Sequence, residues 1–224
     1  MNNLMSNLSI DNVIFGFDTQ LKVLLVKHAD GIIKGKWALP GGYIHSDESV
    51  DAAASRLLLD LTGLNNVFLE QLKAFGSIER FPDQRVVTIA YYSLIRSNDI
   101  KLVPGFTASE VKWVSLDAVE NLPYDHHEIL EFGLTTIRNK VKQEPIGFNL
   151  LPEQFSLYDL QQIYEAILHI QLDKPNFRRK ILKMGFLKKS AVKQTKVSHR
   201  AAQLYEFDQE IYLKYKKQKF LLDI

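Results

Sequence analysis

The stretch GGYIHSDESVDAAASRLLLDLTG, from Gly41 to Gly63, sets Glu48, Arg56 and Asp60 along a run rich in Ala and Leu. From Ser49 to Leu61 it has no Pro or Gly, so it reads as a helix that Gly63 stops. Positions i, i+3 and i+4 of a helix share one face. Three carboxylates on that face would hold Mg²⁺ against a diphosphate, because Mg²⁺ is usually bound through carboxylates and substrate phosphates. Here the set 57, 60 and 61 is Leu57, Asp60 and Leu61. Leucine cannot ligate a cation and excludes the water that one carries. Metal-assisted displacement depends on such a cage, so hydrolysis is not expected. Glu48 and Asp60 are the remnant of a site, and Arg56 has an orienting or structural part.

A different chemistry is offered by residues 174–200, where ten Lys or Arg occur with no Asp or Glu. LDKPNFRRKILKMG reads as a helix: Asp173 caps its start, Pro175 suits the first turn and Gly185 ends it. At about 100° per residue, Phe177, Ile181 and Met184 fall on one side. Asn176, Arg179, Lys180 and Lys183 fall on an adjacent one, and Leu182 belongs to neither. The apolar stripe would anchor the helix. The cations, Arg178 among them, would meet phosphate, while Arg and Asn can pair bidentately with guanine and adenine edges.

FLKKSAV and AAQLYEF follow as two strands joined by KQTKVSHR. That hairpin carries Lys188, Lys189, Lys193, Lys196, His199 and Arg200. Helix, helix and basic hairpin make a winged helix, with the second helix in the major groove of duplex DNA and the wing on the backbone or minor groove. A merely solvated face is the plainer alternative for the charge run.

The elements that must position these groups are legible in outline. LSIDNVIFGF and LKVLLVKH read as strands joined near Asp18-Thr19-Gln20. KWALPGGYI is a short strand entering a Gly-Gly turn, and VFLEQLKAFG, RVVTIAYYSLIR and EVKWVSL are further strands. HHEILEFGLTTIRNKVKQ is an amphipathic helix closing a first domain, placed at residues 1–146. After Glu144-Pro145 a second domain, 147–224, starts afresh with SLYDLQQIYEAIL. There Ser156 and Asp159 form a capping box, and Leu157, Leu160, Ile163, Tyr164, Ile167 and Leu168 make one buried stripe. In RLLLDL the leucines wrap most of the circumference, so that helix is expected to be covered by the sheet and by a second subunit.

Bulk properties agree with two modules of different partners. Residues 1–150 hold 14 Lys and Arg against 18 Asp and Glu, whereas residues 151–224 hold 14 against 8. An acidic first part and a basic second part point to nucleic acid for the second. The absence of cysteine excludes disulfides and thiolate metal sites. No apolar run approaches a membrane span, so no membrane partner is expected, and a cytoplasmic setting is the simplest.

The opening stretch resembles the Nudix box. Gly42, Glu48, Arg56, Leu58, Gly63 and Leu64 occupy matching places, and WALPGG ahead of it is typical of that family. The box would carry acids at 57, 60 and 61, of which Asp60 alone is kept. Together with FSLYDLQQIYEAILHIQLDKPNFRRKI, the chain resembles the Nudix-related transcriptional regulators. That resemblance implies an α+β fold, a Nudix-like α/β/α sandwich with a C-terminal winged helix. It implies a metabolite sensor coupled to operator DNA, with no cofactor, in a homodimer on palindromic sites. Members respond to ADP-ribose or to a sugar such as arabinose.

An effector would lie beside the GGYI turn. Candidate lining groups are Trp37, Tyr43, Glu48, Arg80, Arg85, Tyr91 and the YDHHE segment, with Asp125 and His126 within it. Trp37 is a stacking face or a core residue; Arg80 and Arg85 are a phosphate clamp or exposed loop residues. The run Asp125, His126, His127, Glu128 is no joint metal site, because adjacent helix residues point different ways. With the cation cage lost, the expectation leans to a neutral pentose over ADP-ribose. The rival expectation is a pyrophosphohydrolase using Glu48 and Asp60.

Overall fold

The computed structural model describes residues 7–82, 84–98, 100–105, 107–193 and 202–215. The chain forms two compact units, residues 1–136 and 137–224.

In the first unit β1 (Leu8–Phe17) is the central strand. It runs parallel to β6 (Val87–Arg96) over its whole length, from Leu8↔Val87 to Phe17↔Arg96. With β2 (Leu21–His28) it pairs only near the turn, from Phe15↔Val23 to Phe17↔Leu21. Beyond that the two strands part. The first half of β1 takes β4 (Gly41–Tyr43) as partner, and the far end of β2 takes β3 (Trp37–Ala38). β5 (Glu70–Phe75) flanks β6, and β7 (Ala108–Ser115) flanks β2, completing a seven-stranded mixed sheet. The parting of β1 from β2 opens the cleft described below.

The helix α1 (Val50–Thr62) begins where the Ser49 hydroxyl accepts from the Ala52 N–H. It ends at Gly63, whose φ of 74° is the left-handed cap glycine tolerates best. Its leucines serve different neighbours. Leu57 packs among Ile10, Ile44, Ala53, Ala54 and Tyr91. Leu58 joins Ile14, Leu24 and Leu64, and Leu61 joins Val26 and Ala108. The chain itself thus covers three of the four leucines. Leu59 stays 41% exposed, so this chain does not itself cover it. A long helix, α2 (His126–Gln143), follows and continues past Thr136 into the second unit.

In the second unit the capping box at Ser156 and Asp159 starts α3 (Leu157–Leu168). α4 (Lys174–Lys183) is capped by Asp173, which accepts from the Asn176 N–H at 2.9 Å. A three-stranded sheet is built from β8 (Phe155–Ser156), β10 (Gln203–Phe207) and β9 (Leu187–Lys193), in that order. Phe148 stacks on Phe207 at 4.6 Å and meets Phe155 and Phe186 edge-on. β8 and a short α5 (Gln209–Tyr215) are additions to the sequence-based outline. The architecture is the expected one: a mixed sheet with helices, then a winged helix. Among the described residues no helix is long and apolar enough to cross a membrane.

Candidate effector cavity and nucleic-acid interface

A cavity of about 520 Å³ opens where β1 and β2 part. Its wall includes Asp11 of β1, His28 of β2, Tyr43 of β4, and Arg80, Phe81, Tyr124 and His126. That volume lies within the range of about 300–1,000 Å³ typical of small-molecule sites.

Arg80 is its most constrained group. The side chain is only 3% exposed, in a loop between two strands. Its Nε donates to Asp125 Oδ2 at 2.8 Å and its Nη2 to Asp125 Oδ1 at 2.8 Å, a two-pronged pair. Nη2 also donates to Asp11 Oδ2 at 3.1 Å. Burial would lower the arginine pKa, but Asp125 and Asp11 outweigh it and raise it. Among the described residues Nη1 has no partner. The guanidinium is therefore held rigidly on two nitrogens and offers the third.

His126 is fixed as well. Its Nδ1 accepts from the Leu39 N–H at 3.1 Å, which leaves the ring proton on Nε2, 3.5 Å from Asp11 Oδ1. Burial, and then His126, hold the pKa of His28 below its ordinary value. Phe81 stacks on Tyr124 at 4.7 Å. The cavity thus offers one buried cation, two imidazoles and aromatic faces.

Of the residues expected to line an effector site, Tyr43, Arg80 and His126 meet here, and Asp125 stands behind Arg80. The others lie elsewhere. Trp37 borders a separate hollow, with Lys112 Nζ 4.0 Å from its ring centre. Arg85 donates to the carbonyls of Gly76 and Ser77, so it braces its own loop. Tyr91 is buried with its hydroxyl on Asp51; burial first, then that carboxylate, raises its pKa. Glu48 accepts from Arg56 Nε at 2.8 Å and Nη2 at 2.6 Å, and from the His45 N–H at 2.8 Å. Arg56, and next that N–H, lower the Glu48 pKa to about 2. This carboxylate locks the start of α1 to the Tyr43 turn through Arg56 Nη2, which also reaches the Tyr43 carbonyl.

Asp11, His28 and Phe81 escaped the sequence reading, whereas Tyr124 of the YDHHE segment lines the cavity as expected. Asp11 left a signal: an acid inside LSIDNVIFGF, a strand otherwise fit for burial. Burying such an acid demands a cation, and Arg80 is that cation.

On α1 the three positions expected to face a metal divide as their chemistry requires. Leu57 and Leu61 are in the core, 8% and 3% exposed. Asp60 points outward, 3.6 Å from Arg56. Among the described residues no group of three His, Asp or Glu is placed to hold a metal ion. The Asp125–Glu128 run diverges as expected: Asp125 turns to Arg80, His126 is buried, and His127 and Glu128 are exposed.

The second candidate surface is α4. Phe177 and Ile181 are buried, with Phe177 against Tyr164 at 5.6 Å between ring centres. The opposite face carries exposed Arg179 and Lys183, with half-buried Asn176 and Lys180. Arg179 Nη2 donates to Asn176 Oδ1 at 2.8 Å, so the two side chains suited to bases are joined. Arg178 is half-buried, with Nε enclosed and lacking a hydrogen-bond partner among the described residues. On β9, Lys188 pairs with Asp208 at 2.6 Å and Lys189 is exposed; Lys193 ends the strand. Lys196, His199 and Arg200 lie outside the described residues.

A sheet split around a cavity, a Glu48-Arg56 lock on α1 and a separate basic winged helix define a Nudix-related transcriptional regulator. Comparison with known proteins agrees. The NUDIX domain family matches residues 5–132, and the NrtR DNA-binding winged helix domain matches residues 147–207. The "ADPR responsive transcriptional repressor NtrR" of Acinetobacter baylyi is 33% identical over 211 residues, covering 92% of this chain and 83% of that one. The crystal structure of Shewanella oneidensis NrtR with a 27mer DNA is 30% identical, with a TM-score of 0.76, over 96% of this chain and 97% of that one. The NUDIX domain of the same protein, crystallised with ADP ribose, is 32% identical with a TM-score of 0.55, over 58% and 87% of the two chains. The chain belongs to the NrtR family of Nudix-related regulators.

Proposed function

We propose that this chain is an ADP-ribose-responsive, DNA-binding transcriptional repressor acting as a homodimer, with a sensor domain that binds its effector without hydrolysing it. The observation that carries the effector reading is Arg80, buried in the cavity wall with Nη1 unpartnered among the described residues. A guanidinium recognises phosphate oxygens without a metal. The Phe81–Tyr124 pair supplies an aromatic face for a base, and His28 and His126 supply ring nitrogens for hydroxyls. ADP-ribose has all three features. The lean toward a neutral pentose is corrected here: both relatives named above are tied to ADP-ribose, and arabinose has no support. The step from a lost metal to a lost diphosphate gave too little weight to the phosphate-clamp reading of Arg80.

Retention without turnover is supported by Leu57 and Leu61, which occupy core positions where a cation cage would need carboxylates. In the second unit α4 would enter the major groove, with Arg179 and Asn176 toward base edges and Lys180 and Lys183 toward phosphates.

The test is a thermal-shift series with ADP-ribose, arabinose and other pentoses, followed by operator protection against excess competitor duplex. ADP-ribose at about 100 times Kd stabilises a single-site receptor by roughly 2.7 kcal/mol. Stabilisation by a pentose alone, or equal affinity for operator and random duplex, overturns the reading.

A further inference from the structure

Asp125 carries two roles at once. Its carboxylate holds both Nε and Nη2 of Arg80 in the cavity wall. Its carbonyl accepts from the Ile129 N–H at 3.0 Å, the first backbone bond of α2. The helix that starts there runs unbroken to Gln143, and its turns from Ile137 onward belong to the winged-helix unit. The next residue, His126, is tied to the Leu39 N–H and faces Asp11. No other described element begins on the cavity and ends in the second unit.

We propose that the Arg80–Asp125 ion pair is the latch through which effector binding reaches the DNA-binding unit, with Asp125 as the positioning residue. The inference rests on the reading of the cavity as a site for an anionic effector. An anionic group arriving at Nη1 shares the guanidinium with two carboxylates that already occupy the other nitrogens. Three anions around one cation repel, and the carboxylate that can yield is the one at a helix start. Asp11 cannot: it lies within β1, bonded between β4 and β6, and its side chain is 7% exposed. Asp125 stands at a helix start, outside any strand pairing, where a change of one residue's backbone re-aims the first turn. Effector binding therefore weakens the pair and shifts the start of α2. A helix moves as a unit, so its far turns move with it. A neutral sugar would lack this leverage.

The experiment uses the full-length chain. Operator affinity is measured with and without saturating ADP-ribose, for wild type and for Asp125→Asn, which keeps the shape and removes the charge. Wild type is expected to change affinity on the order of tenfold, the ordinary size of coupling between sites. Asp125→Asn, measured at ADP-ribose concentrations that saturate the variant, is expected to change operator affinity by less than about twofold. Glu128→Gln, which removes an exposed charge from the same first turn without touching Arg80 or the cavity, is expected to keep the operator response. A full response in Asp125→Asn overturns the latch and leaves the effector reading intact. No ADP-ribose binding by folded wild type removes the effector reading itself. Hydrogen exchange on wild type guards against a variant that fails to fold. ADP-ribose is expected to alter exchange at Ile137–Gln143 as well as at the cavity wall, and a change confined to the wall overturns the latch.

Discussion

Replacing Leu61 by glutamate restores an acid where a Nudix box carries one, and its cost can be worked from the packing. Leu61 is 3% exposed and packs with Val26 and Ala108, with Val111 beside them. That cluster offers the new carboxyl no cation. Loss of a buried leucine's apolar contact costs about 1.5–3 kcal/mol. Keeping the carboxyl neutral at pH 7 requires its pKa to rise from about 4.3, at roughly 1.4 kcal/mol per unit, which adds about 4 kcal/mol. The total, about 5–7 kcal/mol, is comparable with the whole stability of an ordinary domain, about 5–15 kcal/mol. Thermal unfolding followed by circular dichroism should fall by at least ~10 °C, at about 2–4 °C per kcal/mol for a chain of this size. Leu59→Glu is the control. Leu59 lies on the same helix but is 41% exposed, so its substitution should stay within about 0.5 kcal/mol. The reasoning is refuted if Leu61→Glu melts within a few degrees of wild type and gains stability on adding Mg²⁺, because position 61 would then be a metal seat and not core.

Arg179→Ala should weaken operator binding by about 1–3 kcal/mol, roughly 5- to 150-fold, with ADP-ribose affinity unchanged; fluorescence anisotropy with operator and scrambled duplex reads both, and parallel loss of effector binding counts against separate modules. Because the folded Glu48 pKa is depressed from 4.5 to about 2, its contribution to stability is complete above pH 4.5 and lost as pH falls toward 2. Denaturant midpoints across that range should fall in wild type and show a smaller acid dependence in Glu48→Gln. Gly41→Ala would drive a Cβ into Asp11 Oδ1 and the Ile10 carbonyl, so it should lower both thermal stability and ADP-ribose affinity, read in one thermal-shift titration. Incubation of wild type with ADP-ribose and Mg²⁺ or Mn²⁺ should give no turnover; turnover abolished by Glu48→Gln would reinstate the pyrophosphohydrolase.

Local patterns made much of this fold legible. β1, β2 and β6 announce themselves by apolar and β-branched runs, and α2 and α3 by their stripes and caps. The α4 stripe of Phe177 and Ile181 was readable because one helix buries one face. The effector cavity was harder, because its wall is assembled from residues as distant as Asp11 and His126 by the parting of two strands. Trp37, Arg85 and Tyr91 are plausible binding types by chemistry alone, yet strand pairing and loop bracing send each to another task. The compact units divide inside α2, whose helical pattern continues unbroken through the division.

The absence of a cation cage and the proposed anionic effector are not in conflict. In a hydrolase the metal both binds the diphosphate and polarises it toward attack. A guanidinium does the first, through directed N–H donors, and cannot activate water as a metal-bound hydroxide does. Arg80, held by Asp125 and Asp11, is buried and oriented before any ligand arrives, so little side-chain entropy is lost on binding. Positions 57 and 61, where a Nudix box carries acids, hold leucines that contribute to two separate core clusters. Acids placed there would exchange core packing for charge at two places, each change destabilising alone. On the proposed reading, the same leucines that hold α1 to the sheet leave no carboxylate at 57 or 61 to seat a cation.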